Sequence, residues 1–293
     1  MFAPSELILN FDHSVYHLSL LERHVADTVI TVGDPDRVEK VSKYFDQIFE
    51  KRCHREFITH TGRLGSLDLT VISTGIGTDN VDIVLNELDA AVNIDPQTRT
   101  TRSQLRRLRI IRVGTTGSLS EDLGPGAFIA SHYALGLDNL LGFYNVAGCP
   151  GREPDLEQRF TTHVEWPSSL GQPYAWHSAP NLQSLFPFAQ PGITLTAPGF
   201  YGPQGRQLRI PLNFPNFWKS FHTFKYKDLT ITNYEMETAA LYGLSHLLGH
   251  APMSLSVVVA HRSTGRVLEN PEQAIDQLIQ KTLDCLVLCS RLK

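Results

Sequence analysis

Seven short runs of the chain are β-rich, several of them nearly continuously apolar: 28–33 (TVITVG), 69–74 (LTVIST), 109–114 (RIIRVG), 127–132 (AFIASH), 192–198 (GITLTAP), 229–232 (LTIT) and 255–261 (LSVVVAH). Runs this short and this apolar read as strands covered on both faces. Between some of them the spacing changes to that of a helix, over 35–46 after a proline, 79–93 (DNVDIVLNELDAAVN), 234–250 and 272–291. Strands alternating with helices predict an α/β layer structure on a mixed or parallel sheet. No internal repeat and no separating linker is visible, so one domain over 1–293 is expected.

Two stretches break the pattern. Residues 94–107 (IDPQTRTTRSQLRR) are polar and carry Arg99, Arg102, Arg106 and Arg107 between a helix and a strand. They read as a solvated surface insertion, with a polyanion patch as the alternative. Residues 145–191 are rich in Pro, Gly and Ser and poor in periodicity, and long loops are expected there.

Composition adds mostly exclusions. The chain is 42% hydrophobic and 19% charged, with a net charge of −4, which suits a large core and gives no general affinity for nucleic acid or acidic membranes. The first residues (MFAPSELILNFDHSVYHL) lack the basic start and apolar run of a secretory signal, and no run reaches the ~20 apolar residues a membrane helix needs. The four cysteines form no CxxC pair; Cys285 and Cys289 share a helix face among Leu and Val, as core residues would. A reduced, cytoplasmic setting is expected.

Candidate chemistry gathers where strands end. The run 28–33 passes into GDPDR (33–37), and 109–114 into TTG (115–117). Ligands of α/β folds bind at the carboxyl ends of strands. Gly33 permits close approach, Pro35 opens a helix whose N-terminus attracts anions, and Arg37 projects from its first turn. Arg112 enters along the later strand, and Thr115 and Thr116 add donors. Two arginines with Thr donors make a phosphate pocket; core ion pairs and a common turn are the alternative. TGIGTDN (74–80) has Asn80 where a dinucleotide fingerprint needs a third glycine, so it reads as a tight turn before a helix.

Two further segments carry unusual side chains. In GFYGPQGR (199–206), Gln204 offers a donor and an acceptor and Arg206 offers donors, which together suit the edge of a nucleobase, with Phe200 as an apolar contact. A solvated turn is the alternative. In NYEMETAALYGL (233–244) a helix starts at two acids around a methionine. Thr232 and Glu235 have capping-box spacing, which accounts for Glu235 and leaves Glu237 unassigned. A carboxylate at a helix start can instead accept from the vicinal hydroxyls of a sugar.

In this order, GDPDRVEKVS (33–42), CHREFIT (53–59), STGIGTDNVDIVLNEL (73–88), RVGTTGSL (112–119), GFYGPQGR (199–206) and NYEMETAAL (233–241) resemble the nucleoside phosphorylase family I, and most closely its uridine phosphorylases. The resemblance spans about 15–264. It implies a single-domain α/β/α sandwich with a mixed, partly barrel-like central sheet, and reversible cleavage of a nucleoside by phosphate to free base and ribose 1-phosphate. It implies no cofactor, with inorganic phosphate as co-substrate. Carried over residue by residue, Gly33, Arg37, Arg112 and Thr115 would hold phosphate, joined by Arg55 across a subunit interface. His17, also across an interface, would touch the ribose 5′-hydroxyl. Glu237 and Met236 would hold the ribose, with Glu235 beside them. Gln204 and Arg206 would read uracil, with Phe200 against the ring and Arg262 nearby. Arg37, Arg112, Glu237 and Arg206 are the catalytic candidates. A homodimer, or a hexamer built as a trimer of dimers, is implied.

Purine-specific members and nucleosidases carry an aspartate after the late strand, where this chain has AHRSTG (260–265). A pyrimidine nucleoside is therefore expected, with uridine first and deoxyuridine or thymidine also open. A purine phosphorylase, a nucleosidase and a non-catalytic nucleoside binder are the alternatives, the last disfavoured by the full set of site residues. Glu56 matches a residue that helps hold a monovalent cation, K⁺, at an interface in some members. Asn80 replaces the small Ser of that cation site, which argues against the ion.

Overall fold

In the computed structural model, which describes residues 1–291, each of the seven runs falls largely within a strand; Leu292 and Lys293, the end of the expected 1–293 domain, lie outside the described residues. The first half runs β1 Thr28–Val32, α1 Asp36–Ser42, β2 Gln47–His54, β3 Phe57–Leu64, β4 Leu67–Ser73, α2 Thr78–Asn93, β5 Ile94–Asp95, β6 Thr100–Thr101 and β7 Arg109–Ser118. The second half runs β8 Phe128–Gly136, α3 Pro154–His163, β9 Tyr174–His177, α4 Pro180–Gln183, β10 Gln190–Thr196, β11 Lys225–Tyr226, β12 Leu229–Glu235, α5 Thr238–Leu247, β13 Ala251–His261 and α6 Pro271–Arg291.

Eleven of these strands form one sheet, with β5 and β6 a separate small hairpin. β4, β1, β7 and β13 lie side by side and parallel. β13 then pairs antiparallel with β8, β8 parallel with β10, and β10 parallel with β12. β12 returns to β7 through Asn233 opposite Ser118 and Tyr234 opposite Gly117. The five strands β7, β13, β8, β10 and β12 thus close a ring, the barrel-like half of a mixed sheet.

Helices cover both faces of the open half. On one, Val38 and Val41 of α1 and Leu278 and Leu286 of α6 meet Ile30, Val32, Ile111 and Val113. On the other, Val84, Leu85 and Leu88 of α2 and Leu241 and Tyr242 of α5 meet Val29, Ile72 and Ile110. The alternation of β1 and β7 between these clusters is the period of a strand. Val84, Leu85 and Leu88 recur at helical spacing and are wholly buried, and each such side chain contributes about 1.5–3 kcal/mol. A third cluster, with Phe160, Leu195, Phe221 and Tyr234, packs against the ring. Among the described residues no helix is long and apolar enough to cross a membrane.

Several expectations change. The region 145–191 is not simply loop: it holds α3, β9 and α4, and both helices open on proline. The hairpin β2–β3 was absent from the apolar runs because β2 alternates exposed and half-buried positions along its whole length. The segment 94–107 contains the β5–β6 hairpin. Its Arg99 donates to the carbonyls of Phe2 and Ala3, Arg102 pairs with Glu22, and Arg106 pairs with Asp27. These guanidiniums tie down neighbouring chain, which favours the structural reading over a polyanion patch. The helix expected over 234–250 is shorter, because β12 continues to Glu235 and α5 begins at Thr238.

Candidate active site

The carboxyl ends of β1, β4 and β12 approach Arg112, which stands within β7. β7 supplies this residue between Ile111 and Val113, both core positions, so its side chain leaves the strand on the other face. Gly114 makes room for it: a Cβ there would lie 2.1 Å from Arg112 Nη1. Arg112 Nη2 donates to Glu237 Oε2 at 2.5 Å and lies 3.3 Å from Glu235 Oε2. All three side chains are buried. Burial alone would depress the Arg112 pKa; the charges of Glu235 and then Glu237 outweigh it and leave it above its ordinary value.

The two acids have different duties. Glu235 accepts from Thr196 Oγ1 at 2.5 Å, from the Glu237 N–H at 3.0 Å, and with both oxygens from the Thr238 N–H. It therefore caps α5 from the end of the preceding strand. The capping box with Thr232 does not form: Thr232 lies within β12, and its hydroxyl donates to Asn233 Oδ1 and the Ile193 carbonyl. Burial raises the Glu235 pKa, with Arg112 opposing and Glu237 adding to the rise. An ionised carboxylate has about four acceptor positions, and those of Glu235 are taken. Glu237 accepts from the Gly77 N–H at 2.8 Å and from Arg112, which leaves acceptor capacity for a ligand. Gly77 precedes α2 at φ +98°, a conformation that only glycine takes readily. Met236 stands between the acids, half-buried.

Gly33 follows β1 and faces the Gly75 carbonyl beyond β4. Arg37, in α1, is buried; its Nη1 reaches the Val113 carbonyl at 3.5 Å, while its Nε has no hydrogen-bond partner. Burial lowers the Arg37 pKa, Asp34 opposes this, and Arg112 adds to it. A buried unsatisfied donor costs about 1–3 kcal/mol, more when charged, and an anion would relieve it. Thr115 lies three residues beyond Arg112, half-buried.

Loop 199–206 carries a second cluster, whose Arg206 approaches Gly117 of β7, with a short turn at Gly202–Gln204. Arg206 Nη1 donates to the Phe200 carbonyl at 2.7 Å and to Gln204 Oε1, and its guanidinium stacks 3.9 Å from the centre of the Phe200 ring. Arg262, just past β13, donates to the Gln204 carbonyl at 2.7 Å and lies over the Trp218 ring. Burial and then the Arg262 charge lower the Arg206 pKa. The structure thus brings Phe200, Gln204, Arg206 and Arg262 into one cluster. An apolar cavity of about 450 Å³, lined in part by Pro203, Trp218 and Tyr234, lies behind the loop.

The profile of the phosphorylase superfamily matches residues 27–289. The chain belongs to this superfamily. It is 32% identical over 251 residues to a uridine phosphorylase of Thermococcus kodakarensis, covering 85% of this chain and 78% of that one. It is 26% identical to a uridine phosphorylase of Escherichia coli, covering 85% and 87%. A solved Trypanosoma brucei nucleoside phosphorylase, described as showing uridine phosphorylase activity, superposes with a TM-score of 0.85 at 31% identity over 96% of this chain and 99% of that one. A purine nucleoside phosphorylase of Clostridium perfringens is 24% identical, covering 92% and 98%.

Within this superfamily member, His17 and Arg55 stand apart from Arg112. His17 Nδ1 lies 2.6 Å from Glu87, which also accepts the backbone N–H groups of His17 and Leu18. The Arg55 guanidinium lies over the Tyr16 ring, at 5.5 Å, and Tyr16 packs edge-on to His17. Among the described residues no hydrogen bond links His17 or Arg55 to Arg37, Arg112, Glu237, Gln204 or Arg206. Arg55 is exposed on the β2–β3 turn at φ +56°, which costs a non-glycine residue about 1–2 kcal/mol. Glu56 follows on the same turn, exposed. Among the described residues no group of three or more His, Cys, Asp or Glu is placed to hold a metal.

Sequence reasoning missed Thr196, Gly77, Gly114 and Asn233. Asn233 donates to Thr116 Oγ1 at 2.9 Å and accepts from Thr194, tying β7, β10 and β12. The glycine in RVGTTG was a readable signal for a bulky neighbour on the same face; the others have meaning only once the strands are paired.

Proposed function

We propose that this chain is a uridine phosphorylase. The observation that carries the reading is Arg112, one buried guanidinium that grips Glu237 while standing beside Arg37 and its unpaired Nε. The sugar side and the anion side of a phosphorolysis would then share one group. The relatives from Thermococcus kodakarensis and Escherichia coli carry that activity in their names, and the Trypanosoma brucei protein shows it.

In the reaction, a phosphate oxygen bonds to C1′ while the C1′–N1 bond breaks and its electron pair passes to uracil. Positive charge grows on the sugar and negative charge on the base, and fixed charges at both ends lower the barrier. Gly33, Arg37, Arg112 and Thr115 hold the phosphate dianion. Glu237, with Met236, holds the ribose hydroxyls and orients C1′ for attack. Glu235 serves the helix end and keeps Glu237 in place. Gln204, Arg206 and Arg262 stabilise the departing uracil, with Phe200 beside its ring.

His17 and Arg55 act on the site of a neighbouring subunit, in a homodimer or a trimer of dimers. The strained, exposed Arg55 and the Glu87-oriented His17 support this part of the reading. Glu56, next to Arg55, is the residue that a monovalent cation at that interface would meet, and Asn80 in place of a small Ser argues against the ion. The chemistry needs no other cofactor, and a cytoplasmic role in pyrimidine salvage goes with it.

Purified protein given uridine should release uracil only when phosphate is present. Phosphate-independent release would make it a nucleosidase. Inosine cleavage exceeding uridine cleavage would make it a purine enzyme.

A further inference from the structure

The face of the five-strand ring turned away from the outer cluster of Phe160, Leu195 and Tyr234 is polar. Ser131 of β8 and Thr194 of β10 share a hydrogen bond at 2.6 Å, Thr194 donates to Asn233 of β12 at 2.9 Å, and Asn233 donates to Thr116 of β7 at 2.9 Å. Buried polar side chains have to pair, and these pair with one another. Thr196, the last residue of β10, is also wholly buried but makes a different connection. It stands opposite Glu235 in the β10–β12 register. A hydroxyl has one proton to give. Thr196 gives it to Glu235 Oε1 at 2.5 Å and accepts the N–H of Ala239, in the first turn of α5, at 2.9 Å. One residue on, the Ala197 N–H donates to the Glu235 carbonyl at 2.9 Å. The end of β10 thus holds both the side chain and the backbone of Glu235.

Glu235 in turn bears on the ribose clamp. Its Oε2 accepts the Glu237 N–H at 3.0 Å and stands 3.3 Å from Arg112 Nη2, which donates to Glu237 Oε2 at 2.5 Å. A turn of the Glu235 carboxylate would change how Arg112 is shared between the two acids. Valine has the shape of threonine and suits a strand equally well, so packing alone would not call for a hydroxyl here. A hydrogen bond to the charged form of an acid also favours that form. Burial raises the Glu235 pKa, Glu237 adds to the rise, and Arg112 and the Thr196 hydroxyl oppose it. Tyr174 of β9 and Tyr242 of α5 also feel the Glu235 charge, and burial sets the pKa values of both above the ordinary value. Neither tyrosine therefore titrates on the acid side.

We propose that Thr196 is a positioning residue whose hydroxyl sets the rotation of the Glu235 carboxylate, so that Arg112 stays on Glu237 and Glu237 stays aimed at the ribose hydroxyls. The proposal rests on the phosphorolysis reading. It separates Thr196 from general scaffold, because its effect must come from the hydroxyl and must pass through Glu235.

The test compares Thr196→Val, which keeps the shape and loses the hydroxyl, with Thr196→Ser, which keeps the hydroxyl. Thr196→Val should lower kcat/KM for uridine about tenfold, a common cost of one lost hydrogen bond to a charged group. Thr196→Ser should stay within about twofold of the unsubstituted protein on the same scale. The acid limb of the kcat/KM profile should move to higher pH in Thr196→Val, where Glu235 gains its proton more readily, and stay in place in Thr196→Ser. In a Glu235→Gln background Thr196→Val should add almost nothing, since coupled residues are not additive. Thr196→Ala carries the comparison if Thr196→Val does not fold. A Thr196→Ser loss equal to that of Thr196→Val, an acid limb that does not move, or a full penalty in the Glu235→Gln background overturns the positioning role alone. Unsubstituted protein that releases no uracil overturns the phosphorolysis reading, and this inference with it.

Discussion

Arg112, Glu235 and Glu237 hang from two long strands and a helix start, whereas Gln204, Arg206 and Phe200 hang from a loop held by its own side chains. At the first end, backbone N–H groups of Gly77, Glu237 and Thr238 fix the carboxylates, and the pleat of β7 fixes the guanidinium. At the second, Arg206 is restrained by a loop carbonyl, by Gln204 and by an aromatic face that is itself half exposed. On the proposed reading, ribose and phosphate are common to every substrate, and the groups assigned to them are built into the sheet. The base varies between substrates, and the residues proposed to read it sit on the part that can be rebuilt without disturbing the core.

That contrast can be broken at four points. Arg112→Ala should have the largest effect. It leaves two buried carboxylates without a counter-charge, and should cost about 3–5 kcal/mol of stability along with nearly all turnover. A thermal melt that does not move would show that the sugar–phosphate end is not part of the frame. Arg206→Ala should lower kcat/KM for uridine about 100-fold, with the melting temperature within about 2 °C and the phosphate KM unchanged. Uridine kinetics that survive this change would mean the loop does not read the base.

Gly114→Ala probes the junction. The added Cβ would meet Arg112 Nη1 at 2.1 Å, and overpacking of this kind costs about 1–3 kcal/mol. Raised KM values for phosphate and nucleoside together are expected, with no change in the order of preference among bases.

The smallest effect concerns acid. Burial lowers the pKa values of His24, His60, His132 and His246 below the ordinary 6.5, and all four belong to the frame. Each is held neutral in the fold and binds a proton more readily in the unfolded chain. The unfolded state therefore gains protons first as pH falls below about 6.5, and stability present above that value is lost on acidification. Melting curves from pH 8 to pH 5 should show the decline. A flat profile would remove these histidines from the account.

Much of the frame was legible in the sequence because strands buried on both faces write themselves as continuous apolar runs. β2, β3 and β9 were not, the first because it alternates at an exposed edge, the second because buried polar Thr59, His60 and Thr61 interrupt it, and the third because four residues carry too little pattern. The boundary between β12 and α5 was misjudged for a physical reason. Glu235 caps the helix through its side chain while its backbone still belongs to the strand, so the helical signal begins before the helix. Glu237 could be singled out but not explained, since its partners Gly77 and Arg112 lie far away in sequence. For His17 and Arg55 the resemblance pointed to an interface; among the described residues His17 is held by Glu87, and Arg55 lies over the ring of Tyr16.

Closure of the five-strand ring has a kinetic consequence. Asn233 and Thr116, whose side chains join at the seam, are separated by 117 residues of chain. Loop closure on that scale is slow and gains nothing until the contact forms. Glu235 and Glu237 reach Arg112 only when β12 has docked on β7, so activity should be among the last signals to return on refolding, after helix content has recovered. Turnover would then serve as a clock for the final step of assembly, which spectroscopic probes of helix would miss.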